Sequence, residues 1–245
     1  MRKIALTFTT VVTILALSAP PTKALGTPYH GELFYLCSYA GRSEVNGLTS
    51  ETWQPCNARQ DLSSYSSPVL LQNGVPVMPN REHIYIRNEV AQAPLAWPTG
   101  FSWLGGNPNA TSAQPNWTKR YFWQCGDTTK GTHYATPPLC ANAASGQGED
   151  ALTLIVKFPQ CWDGINFTYP IKHLCSVGAQ LFPRLEVHVQ YVLASNVELS
   201  FATGSIYGAY AGFANGWDPT LLQGYIDQCI TTGISCHVRT DGTIS

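Results

Sequence analysis

Two aspartates stand where a turn can present a carboxylate for chemistry. Asp163 closes Phe158-Pro159-Gln160-Cys161-Trp162-Asp163-Gly164, a tight turn after a strand-like run, and Asp218 closes Phe213-Ala214-Asn215-Gly216-Trp217-Asp218. Hydrolysis of a glycosidic bond needs two carboxyl groups flanking that bond, so this pair is the catalytic candidate. Each also has a sufficient structural job. Asp218 precedes Pro219 and can cap a helix, while Asp163 can hydrogen-bond its own turn. The structural reading is the stronger, because neither a metal nor a histidine is at hand to support them. Glu186 and Glu198 read as solvated residues on strand faces. The chain has no G-x-S-x-G elbow, H-E-x-x-H, P-loop or dinucleotide-binding glycine pattern.

Aromatic rings offer a second chemistry, because a flat apolar face can stack on a sugar. Trp162 and Trp217 flank the two aspartates and read first as packing residues, second as a binding surface. Between Ala93 and Gly148 the chain is rich in Pro, Gly, Asn and Thr, so Trp103, Trp117 and Trp123 read as loop residues, where function concentrates. The binding set is thus Trp162, Asp163, Tyr210, Asn215, Trp217, Trp103 and Trp117. No metal or cofactor is expected. His173 and His237 lack partners at ligand spacing, and His188 alternates with apolar neighbours and reads as solvated. His30 would bind copper through its amine if it were the mature N-terminus, but that cut follows Tyr29, where small residues are preferred.

The elements that must position these residues are mostly strands. Leu185, Val187, Val189 and Tyr191 alternate with Glu186, His188 and Gln190, and Val197, Leu199 and Phe201 read as the partner strand. Ala151 to Phe158 reads as a buried strand. Val69 to Val77 reads as a hairpin turning at Asn73-Gly74, with Pro76 marking an edge arm. One helix follows Asp218, with Leu221, Leu222, Tyr225, Ile226 and Cys229 as its apolar stripe. The expected fold is mainly β, a β-sandwich-like single domain with long disulfide-stapled loops and one C-terminal helix.

Export fits this architecture. Met1-Arg2-Lys3 precede an apolar run from Ile4 to Leu17 and a small-residue stretch, so residues 1–24 read as a signal peptide and 25–245 as one secreted domain. No later run approaches the roughly 20 apolar residues of a membrane span, so none is expected in the mature chain. Charged residues are 12% of the sequence and the net charge is −1, which leaves no footprint for nucleic acid. Eight cysteines in an exported chain read as four disulfides. Loop entropy favours near neighbours: Cys37 with Cys56, Cys125 with Cys140, Cys161 with Cys175, Cys229 with Cys236. Asn109, Asn116 and Asn166 open glycosylation sequons.

Four blocks together resemble the secreted domain-of-unknown-function family nineteen-ninety-six: F-P-x-C-W-D-G, F-x-N-G-W-D, Asp61-x-Ser63-x-Tyr65-x-x-Pro68, and Trp97-Pro98-x-Gly100-Phe101-x-x-Leu104-x-Gly106. Fungal members are often joined to carbohydrate-binding modules, so the resemblance implies a polysaccharide or cell-surface glycan as partner. It also implies a histidine and acid cluster that this chain lacks. Tyr210-Ala211-Gly212-Phe213 stands where H-A-D-F is expected, Ala179 stands for a histidine, the stretch after Gly164 is shortened, and no H-x-H precedes Cys56. The expectation is therefore an extracellular, non-catalytic carbohydrate or cell-surface binder. The alternatives are a polysaccharide hydrolase using Asp163 and Asp218, and a protein-binding surface or virulence factor.

Overall fold

Apolar residues recurring at every second position build one large sheet. The computed structural model describes residues 31–45, 47–127, 131–141, 151–193 and 198–245, so the expected signal peptide and His30 lie outside the described residues. In chain order the strands are β1 (Glu32–Val45), β2 (Leu48–Cys56), β3 (Ser64–Pro68), β4 (Leu70–Gln72), β5 (Val75–Pro76), β6 (Pro79–Arg87), β7 (Ser102–Gly106) and β8 (Tyr121–Cys125). They continue as β9 (Leu152–Lys157), β10 (Cys161–Trp162), β11 (Phe167–Thr168), β12 (Gln180–Leu181), β13 (Arg184–Tyr191), β14 (Leu199–Phe201), β15 (Tyr210–Ala214) and β16 (Ser235–His237).

The main sheet runs β7-β15-β3-β2-β1-β6-β13-β9-β8, with β16 alongside β1. Leu33 and Tyr35, Ile84 and Ile86, Leu185 and Val187, and Leu154 and Val156 fill one face with fully buried side chains. The fold is mainly β and sandwich-like, and its sheet curls so far that the two ends meet. Tyr169 spans that seam: its hydroxyl donates to Lys157 O at 2.8 Å and accepts from Gly106 N at 3.4 Å. Burial pushes this phenol up to about 12. A Cβ on Gly105 would lie 2.9 Å from the Phe158 ring, so glycine permits the approach.

Two small sheets flank the large one, β11-β10-β12 and β14-β4-β5. The β4–β5 hairpin turns at Asn73 and Gly74 with φ of 51° and 76°, the paired positive angles of a type I′ turn. The strand at Leu199–Phe201 pairs β4, not β13 as the sequence pattern suggests, and Val197 lies outside the described residues. β13 is instead enclosed between β6 and β9.

Disulfides join Cys37 to Cys56, Cys125 to Cys140, Cys161 to Cys175 and Cys229 to Cys236. Helix α1 (Pro219–Tyr225) continues into a π-helical turn, Ile226–Ile230. Asp218 caps it by accepting from Leu221 N at 2.8 Å, a contact type worth about 1 kcal/mol. Leu222, Tyr225, Ile226 and Cys229 are buried, and a Cβ at Gly31 would sit 2.1 Å from Cys229 O, so the turn lies hard against the start of β1.

Two expectations need correction. The stretch from Ala93 to Gly148 is not simply loop: β7 and β8 within it are strands of the main sheet, so Trp103 lies on a strand and Trp123 is a core residue stacked 5.7 Å from Phe201. Period-two alternation there is hidden because both faces of β8 carry large apolar rings. Nor is His188 solvated. All of β13 is buried, including Glu186, His188 and Gln190; Arg87 of β6 pairs Glu186, and Asp127 from just after β8 pairs His188.

Candidate functional site

The sequence blocks around Asp61, Trp97 and Asn215 first resolve into a brace. Asn215 donates through Nδ2 to Pro98 O at 2.9 Å and Trp97 O at 3.3 Å, and its backbone N donates to Phe101 O at 2.7 Å. Gly216 N donates to Ser63 Oγ, and a Cβ there would lie 2.2 Å from the Leu62 carbonyl carbon. Asp61 accepts from Ser63 N, Tyr65 Oη and Tyr35 Oη at 2.7–2.9 Å, and Trp217 Nε1 donates to Tyr35 Oη at 3.3 Å. Asn215 and Trp217 therefore sew three blocks together from inside. Tyr210 is buried too, with its hydroxyl 2.8 Å from Ser50 Oγ.

The two aspartates are likewise occupied. Asp218 holds the helix N-terminus, and Asp163 Oδ1 accepts from Ile165 N at 2.8 Å and Asn166 N at 2.6 Å. Those backbone donors hold the Asp163 carboxyl below the usual carboxylate range. Glu198 is an exposed bend residue ahead of β14, not a strand residue.

The structure brings together Trp103 and Trp162. With Phe101 and Phe167 they line an open cleft of about 450 Å³, rimmed by Ile165 and Asn166. Trp103 comes from β7, at the margin of the main sheet, and Trp162 and Phe167 from the β10–β11 pair, which the Cys161–Cys175 bridge closes off. Phe101 sits edge-on to Trp162 at 5.4 Å and to Phe167 at 5.6 Å. Among the described residues no carboxylate lines the cleft. Trp117 stands apart, in a 3-10 turn, 6.5 Å from the Tyr121 ring.

A second site escaped the sequence reading. On the face of β6 and β13 opposite the apolar core, His83, Tyr85 and Arg87 lie in register with His188, Glu186 and Arg184. Asp127, just after β8, takes His188 Nδ1 at 2.5 Å on one oxygen and His83 Nδ1 on the other. His188 Nε2 lies 3.3 Å from Glu186, which also pairs Arg87 at 2.6 Å and Arg184. Burial pushes the Asp127 and Glu186 carboxyls up, but their cationic partners win and hold both well below the usual range. Burial likewise opposes charge on His188, yet bonds to Asp127 and Glu186 raise its value. The alternation of charged and aromatic residues along β6 and β13 shows in the sequence, but the partners that bury them come from other elements.

Magnitude decides between the two sites. The cavity beside His188 is about 110 Å³, against roughly 300–1,000 Å³ for ordinary ligand pockets, a range that contains the aromatic cleft. The charged cluster reads as an ion network that fastens the segment carrying Asp127 to the sheet. Among the described residues no group of three or more His, Cys, Asp or Glu side chains is placed to hold a metal ion.

Residues 39–217 match the family described as a domain of unknown function (DUF1996). No curated protein and no solved structure matches the chain.

Proposed function

The chain belongs to the DUF1996 family, whose description names no activity, and from its own geometry we propose that it is a secreted domain that binds glycans without cleaving them. Four disulfides and the lack, among the described residues, of any helix long and apolar enough to cross a membrane are consistent with an extracellular protein. The observation that carries the reading is the cleft. Two tryptophans and two phenylalanines share one wall, partly exposed, on rigid strands and a bridged hairpin. Such rings supply large contact area at low entropic cost.

Hydrolysis finds less support. A glycosidase needs two carboxyl groups about 5–10 Å apart across the bond, and among the described residues no acid lines this cleft. Asp163 and Asp218 are spent on a turn and a helix cap.

The test is a panel of neutral and acidic oligosaccharides titrated against the folded chain and Trp162→Ala, with product analysis by chromatography. Binding without product, weakened about tenfold or more in the variant, supports the reading. Product formation abolished by Asp163→Asn would establish the hydrolase instead, and a null panel would turn attention to a protein partner.

A further inference from the structure

We propose that the glycan taken by the aromatic cleft is anionic, and that Lys119 and Arg120 bind its carboxylate or sulfate groups; this rests on the cleft being the glycan site. A second cavity of about 360 Å³ shares Phe167 as a common wall with the aromatic cleft, and Lys119, Arg120 and Tyr169 line it. A chain leaving the aromatic end over Phe167 thus enters a cationic one. Among the described residues no carboxylate lines either cavity.

Both cations are unspent. Among the described residues neither makes an ion pair, whereas Arg42, Arg87, Arg184 and Lys157 all do. What sets Lys119 and Arg120 apart from other cations without an ion pair is their place together on the wall of this cavity. The arginine is also held in place before any ligand arrives. Its guanidinium lies 5.0 Å over the Tyr169 ring, and its carbonyl accepts from Lys157 N at 2.8 Å. Tyr169 is itself fastened across the sheet seam. A guanidinium held over a ring face keeps N–H donors that a carboxylate or sulfate can take. Lys119, exposed on the 3-10 turn, adds a mobile point charge beside it. The acid nearest in sequence to the cleft wall, Asp163, is outside both linings and already accepts two backbone N–H groups.

The test compares neutral hexasaccharides, oligogalacturonates and a sulfated oligosaccharide by calorimetry at low and high NaCl. It uses the unmodified chain, the double variant Lys119→Gln with Arg120→Gln, and Trp162→Ala. The expected result is about tenfold tighter binding of an acidic over a neutral ligand, shrinking with salt and lost in the double variant, with neutral binding unchanged there. Whether uronates or sulfated chains bind more tightly identifies which anion is used. Equal binding of neutral and acidic ligands, or a preference that survives in the double variant, overturns the inference and leaves the cleft reading standing. Binding of any ligand that is indifferent to Trp162→Ala, or no binding at all, overturns the cleft reading and this inference with it.

Discussion

The rings of Trp103 and Phe167 stack with centroids 4.7 Å apart and planes 17° from parallel. One ring belongs to β7 of the large sheet and the other to a hairpin inside the Cys161–Cys175 loop, so this contact docks the loop on the scaffold and shapes the cleft. Phe167→Ala should therefore weaken glycan binding about tenfold while the far-ultraviolet spectrum stays native. Binding at full strength would show that the hairpin is not part of the site.

Replacing both Cys161 and Cys175 with serine should cost about 2–4 kcal/mol in a urea titration, as for other short disulfide loops, and should abolish binding under conditions where the domain is still folded. Loss of stability with undiminished binding would contradict the view that the bridge positions Trp162.

The His188 network makes stability depend on pH in two directions. His188 has a raised folded value, so its contribution is complete below about pH 6.5 and is lost as pH rises through that folded value. Asp127 and Glu186 have depressed values, so theirs is complete above about pH 4.5 and is lost as pH falls through them. Urea midpoints between about pH 4 and 9 should peak near pH 5 to 6 and decline on the alkaline side, and His188→Gln should flatten that decline. Because a buried pair is broken, the variant should also lose about 3–5 kcal/mol at the peak. An unchanged alkaline limb would contradict the assignment.

Glu82 is fully buried on the core face of β6 with neither oxygen hydrogen-bonded, and burial pushes its carboxyl well above the usual value. A raised carboxylate value penalises folding only above the unfolded value, about 4.3. Glu82→Gln should gain at least about 1 kcal/mol at pH 7 and little at pH 4, again by urea unfolding. A loss at pH 7 would mean that the carboxylate has a partner.

All three sequon asparagines, Asn109, Asn116 and Asn166, are exposed, but only Asn116 and Asn166 line the proposed groove. In a host that attaches N-glycans, Asn116→Gln and Asn166→Gln should each strengthen ligand binding wherever mass spectrometry finds the site occupied, and Asn109→Gln should not. Equal effects at all three would place the ligand elsewhere.

Local signals survived into the structure where local physics decides them. Asn73-Gly74 turns a hairpin because both residues tolerate positive φ, and Asp218-Pro219 starts the helix because cap and first-turn preferences act over four residues. The near-neighbour disulfides follow loop entropy in the same way. What depends on distant partners was not legible. His188 and Glu186 fit a solvated strand face until β6 brings Arg87 and His83 beside them, and Asp127 arrives from after β8. Trp103 and Trp162 were separate candidates 59 positions apart, and only the curling of the sheet and the Cys161–Cys175 loop bring them into one wall. Tyr210, Asn215 and Trp217 carry polar and aromatic groups that look functional but are used for bracing.

The most direct test of the central claim is a crystal structure of the chain with the tightest-binding oligosaccharide from the panel. The expected result is a sugar ring lying against Trp162 between Phe101 and Phe167, with no cleaved product. A ligand seated instead in the cavity formed by Gln54, Arg59 and Asp61, or beside His188, would contradict it.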